Sequence, residues 1–215
     1  MPVATIKDLF ESTVRYFPLA VGATMAIGGI ATAHMPWVLT SVGAILLAGV
    51  VGVLQYSFYK VIGWGPEAGD DVLRSCGMIP LGPAAYSVIP SFWFSLTSFL
   101  ATVIITNAAS VAAAPPAKSV SAASFPVQNR KSIGALSIII TVALLLFLAI
   151  ARFTHGGCET MTGAAIGILL GSFFGWAWWN IISAGNKMFG DVHGVASSMI
   201  PASLRSSAKA CTSVP

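Results

Sequence analysis

The side chains able to do chemistry are few and scattered. His155, Cys158 and Glu159 share one short segment, Asp70 and Asp71 stand side by side in another, and His34 and His193 lie elsewhere. A thiol nucleophile needs a base held against it by a third group. A Cys and a His in an eight-residue loop, with nothing to orient them, read as incidental. A lone acidic pair with no second acidic motif reads as a solvated turn rather than a metal cage. The three cysteines, Cys76, Cys158 and Cys211, have no C-x-x-C spacing, so no metal site and no cofactor is expected. No catalytic residue can be named, and the expectation is a protein that is not an enzyme.

The sharpest spacing is structural. Gly163, Gly167, Gly171 and Gly175 recur at four-residue steps. On a helix they make one groove without side chains, where another helix backbone can approach closely. Membrane helices associate this way, because lipid offers no hydrophobic drive between them. The face can serve packing within the chain, for example on the Gly- and Ala-rich first span, or packing between copies. Trp176, Trp178 and Trp179, with Trp37, are candidates for an interfacial aromatic belt.

These residues sit in an unusual background. Of 215 residues, 11 are Lys or Arg and 7 are Asp or Glu, 8% in all, while 56% are hydrophobic and the mean hydropathy is +0.84. Soluble domains carry about 25% charged residues, so a water-soluble enzyme and a disordered chain are both excluded. The net charge of +4 is dispersed, with no basic run longer than Arg130-Lys131. A nucleic-acid footprint needs a clustered stripe, so no nucleic-acid partner is expected. The fold class is all-α: an integral membrane bundle.

Charge-free stretches mark the crossings. The 44 residues 16–59 contain no Asp, Glu, Lys or Arg, enough for two spans of about 20 residues. The turn between them is read at His34-Met35-Pro36-Trp37, giving spans at about 17–34 and 37–59. Further spans are expected at about 90–112, 133–151 and 161–184, five in all, with four as the alternative. Residues 113–132 are an Ala/Ser/Pro linker, and 185–215 a polar tail. Val3, Ile6, Phe10, Val14 and Phe17 recur at helical steps and predict an amphipathic interfacial helix over 1–16. The rival is a plain extension of span 1. A cleaved leader ending at Ala31-Thr32-Ala33 is disfavoured by Asp8 and Glu11 in the long charged region before it.

Five spans put the loops holding Cys76 and Cys158 on one side, so a disulfide between them is a candidate, against two free thiols. Counting Lys and Arg by side gives five against six, which sets no orientation. No charged residue falls inside the spans as read. Pumps and transporters place ionisable groups there, so transport is disfavoured, although hydroxyls and backbone can still line a passive pore.

A layout is also visible. Cys76-Gly77 precedes a span that starts Pro90-Ser91-Phe92-Trp93-Phe94. A linker, an aliphatic span and a cysteine-bearing loop follow, and a glycine-stepped span then ends Gly175-Trp176-Ala177-Trp178. Over residues 76–185 this resembles the small multispan proteins of the internal membrane of large nucleocytoplasmic DNA viruses. The resemblance implies a structural protein of a virion membrane beneath an icosahedral capsid, with lipids, capsid proteins and sister subunits as partners. The alternative expectations are an accessory subunit of an energy-transducing or translocation complex, and a passive channel.

Overall fold

The computed structural model describes residues 6–62, 89–113, 129–154, 159–185 and 192. Among these there is no strand. Five long helices form an integral multi-span membrane bundle: α1 (Ile6–Ala31), α2 (Met35–Ser57), α3 (Phe92–Ala113), α4 (Arg130–Thr154) and α5 (Met161–Gly185). Each is long and apolar enough to cross a bilayer. A π-helical turn, Phe58–Ile62, continues α2. Cys76, Cys158 and Cys211 lie outside the described residues, and so do Asp70, Asp71, His155 and His193.

The centre of the bundle is α3. From Trp93 to Ala101 every residue is buried. Both α5 and α4 pack on it, α1 pairs with α2, and α2 closes against α3. Trp93, Phe99, Val103, Leu47 and Val51 fill the middle with almost no exposed surface. The outer faces are apolar. On α4, Leu136, Ile139, Ile140, Phe147 and Ile150 are all exposed. A helix set with its hydrophobic side outward is what a lipid solvent demands.

Three expectations need correction. The helix boundary at residue 16 is absent: α1 runs unbroken from Ile6 to Ala31, so the N-terminal amphipathic segment extends span 1. Nothing at residues 15–17 breaks a helix, and Pro18 is absorbed inside it. The first turn lies at Thr32-Ala33-His34 rather than His34–Trp37. Pro36 falls in the opening turn of α2, where a missing N–H leaves no intrahelical bond unmade. Finally, charges do lie within the spanning helices. Glu11 and Arg15 fall in the first span, and Lys131 and Arg152 in the fourth, because those helices outrun the charge-free windows by a turn or more.

The turn after α1 has a defined chemistry. His34 N–H donates to Gly29 O at 2.8 Å and Ala33 N–H to Ile30 O at 3.3 Å. These are the paired bonds of a Schellman cap. Its left-handed position is filled by Ala33, with φ of 53°, where glycine is the usual occupant. Ser91 caps α3: its Oγ accepts the Phe94 N–H at 3.2 Å. Thr160 caps α5 by accepting the Gly163 N–H at 3.0 Å.

Candidate functional site

The predicted glycine row faces α3. A β-carbon on Gly167 would lie 2.8 Å from Ser91 O, and one on Gly175 would lie 2.7 Å from Phe99 O. On Gly171 it would run into Ser95 O and Ser98 Oγ. The α3 carbonyls thus step 91, 95, 99 against glycines at 167, 171, 175, one turn for one turn. A Cα–H of each glycine points at the facing carbonyl, a weak but recurrent contact between closely packed helices. Gly163 belongs to the same seam: its carbonyl accepts the Ser91 N–H at 2.9 Å. The partner is therefore the third span of the same chain rather than the Gly- and Ala-rich first span.

Serine makes this approach possible from the α3 side. Ser95 Oγ donates to Ser91 O at 2.7 Å, and Ser98 Oγ to Phe94 O at 2.6 Å. Thr97 does the same with Trp93 O at 2.8 Å. Each hydroxyl folds back on its own helix, and those of Ser95 and Ser98 keep a small, satisfied surface against the glycines. The repeat Ser91, Ser95, Ser98 was the sequence signal for this partner face.

Next to the seam lies a charged pair, in an interior whose other buried polar side chains are uncharged among the described residues. Arg152 meets Glu159, with both Nε and Nη2 3.1 Å from Oε1. Only 8% of the arginine side chain and 6% of the glutamate side chain are exposed. Burial pushes the Glu159 carboxyl above its ordinary value, while a hydrogen bond from Ser91 and the Arg152 charge pull it back only in part. The Arg152 guanidinium also sits 5.9 Å from the Trp93 ring centre, within cation–π range. The pair ties the end of α4, the start of α5 and the cap of α3 together. Sequence reasoning missed it because Arg152 looked like the flank of a span and Glu159 like a loop residue.

Trp93 reaches further. Its Nε1–H donates to Val14 O at 2.8 Å. In a helix Val14 O would receive the N–H of residue 18, but residue 18 is proline and has none. The indole replaces the missing donor and fastens α1 to α3. Gln55 adds a strap from α2, donating through Nε2 to Pro90 O at 2.8 Å.

The aromatic residues divide. Trp178 donates to Leu39 O at 3.0 Å, stacks near-parallel on Phe174 and lies over Gly43, joining α5 to α2. Trp37 donates to Val192 O at 2.9 Å and meets the His34 ring edge-on. Trp179 packs against the core, while Trp176 is 54% exposed. Among the described residues, no three His, Cys, Asp or Glu side chains gather into a metal-binding group.

The class of protein these features define is a helical, multi-span membrane bundle, held by backbone-close packing and a buried ion pair. The chain matches no family model, no curated protein and no solved structure. None of the three comparisons links it to viral internal-membrane proteins.

Proposed function

We propose that this protein is a structural multi-pass membrane protein that serves as a subunit of a larger membrane assembly. The observation that supports this reading is the direction of its buried polar groups. Ser95, Thr97 and Ser98 bond back on their own helix and Arg152 bonds Glu159, so these groups are spent on the bundle rather than turned to a substrate. The exposed apolar sides of α4 and α5, including Ile139, Phe147, Leu169 and Phe173, are surfaces for lipid and for neighbouring subunits.

The test is purification of the tagged full-length chain from its native membrane in mild detergent, with mass spectrometry of the intact complex. The expected result is a stable assembly of fixed stoichiometry. Capsid proteins in it would assign a virion membrane, and cofactor-bearing subunits an accessory role in an energy-transducing complex. Recovery of the chain alone would overturn the assembly reading.

A further inference from the structure

Although α4 and α5 are neighbours in sequence, each packs on α3 and makes little contact with the other. Between them α3 floors a cavity of about 260 Å³, just under the ~300 Å³ at which small-molecule pockets begin. Leu145 and Ala149 form one wall, and Ile168 and Ser172 the other. The floor runs along one face of α3 from Trp93 to Ile105. At 1.5 Å per residue that is about 18 Å, close to one leaflet of a hydrocarbon core ~30 Å thick. The rim residues Leu146 and Ile168 are exposed, so the crevice opens sideways, between helices, into the surrounding hydrocarbon.

Its chemistry is decided by the floor. The Thr97 and Ser98 hydroxyls are already bonded to carbonyls of their own helix. They ask nothing of a ligand, and a polar molecule would find few partners. An apolar hollow of this size does not stay empty when it can be filled, because its walls forgo dispersion contacts, and apolar cavities accept apolar ligands. One end of the crevice is Trp93, the ring beneath Arg152. That end adjoins the link between α4 and α5, where polar groups return.

The geometry points to a binding site for a single acyl chain, lying along α3 between α4 and α5 and coming from the leaflet on the side of the α4–α5 link. The crevice is the place where the bundle is completed by lipid. This inference is independent of the structural role proposed above, since an isolated chain would bind the same lipid.

The experiment uses the full-length protein in nanodiscs. One sample contains a phosphatidylcholine with a diazirine on one acyl chain, and a parallel sample contains a diazirine fatty acid. After photolysis, adducts are mapped by peptide mass spectrometry. Adducts are expected on α3 between Trp93 and Ile105, a stretch otherwise largely shielded from lipid. They should be lost in Ala149→Phe, which fills the crevice, while adducts on Leu136 and Ile139 persist. Ile168→Trp blocks the mouth from the other wall and serves if Ala149→Phe does not fold. Labelling of α3 by the phospholipid supports a bilayer lipid, and labelling by the fatty acid alone supports a free acid in the same site. The inference is overturned if α3 stays unlabelled by both probes while the outer face of α4 is labelled. It is equally overturned if the filling variants fold and keep their α3 adducts, or if cross-links show the crevice filled by a second copy of the chain.

Discussion

Trp93 donates its indole N–H to the Val14 carbonyl, the acceptor that Pro18 leaves without its helical donor. A defect in one helix is thereby repaired by a side chain of another, and the repair is also a tether. Trp93→Phe should leave a buried carbonyl unpaired, at a cost of about 1–3 kcal/mol. Pro18→Ala restores the local donor, so the hydrogen-bond part of that cost should shrink in the Pro18→Ala background. Equilibrium unfolding of the four proteins in mixed micelles measures the coupling. Strict additivity would show that the indole bond does no more than the ring's packing.

Gly171 is the tightest point of the α3–α5 seam. Gly171→Ala should destabilise the bundle by roughly 1–3 kcal/mol, as overpacking does, because backbone rather than a movable side chain stands in the way. Gly167→Leu and Gly171→Leu should prevent normal helix association. Gly49 and Gly52 have nothing within 4 Å of the added carbon. Gly49→Ala should be neutral or stabilising by up to about 1 kcal/mol through helix propensity. Thermal unfolding in detergent separates the two outcomes.

Removing one partner of the buried ion pair should cost more than removing both. Arg152→Ala leaves the Glu159 carboxylate uncompensated, a loss of about 3–5 kcal/mol for a buried pair. Arg152→Met combined with Glu159→Gln should recover much of it. A double variant as unstable as the single one would show that the pair is held for its attraction alone.

The raised Glu159 carboxyl also gives a pH dependence. Its proton is held more tightly in the folded chain than in the unfolded one, whose value is near 4.5. The resulting stability is fully present below that pH and is lost as pH rises through the folded value. Unfolding followed upward from pH 4 should show this decline in the wild type and a flatter profile in Glu159→Gln.

Ala33→Gly should stabilise the α1–α2 hairpin. Its φ of 53° costs an alanine about 1 kcal/mol or more that glycine does not incur. Glycine's looser unfolded chain offsets part of the gain. A lower midpoint than wild type in a denaturant titration would count against the strained turn.

The spans were legible because hydropathy and the absence of charge are local properties. Their ends were not, because Lys131 and Arg152 sit in the first and last turns of α4, which need not be apolar. The four-residue step of the glycines is plain in the sequence, but its partner face is marked there only by the small-residue repeat Ser91, Ser95, Ser98. What it meets on α3 is largely backbone, the carbonyls of Ser91, Ser95 and Phe99, and no residue type announces an accessible carbonyl. The Arg152–Glu159 pair depended on how the short α4–α5 link folds back, which seven residues of sequence separation could not specify. The Trp93–Val14 bond needed the knowledge that the helix runs unbroken through Pro18 and so leaves the Val14 carbonyl without its donor.

The hydroxyls of α3 bear on how this protein is made. This helix carries the most buried polar side chains in the bundle, yet Ser95, Thr97 and Ser98 each find an acceptor one turn back in the same helix. Those three hydroxyls are bonded before any neighbour arrives. In lipid these three side chains would present no unbonded donor, so α4 and α5, which follow α3 in the chain, could dock on a helix whose hydroxyls need nothing from them.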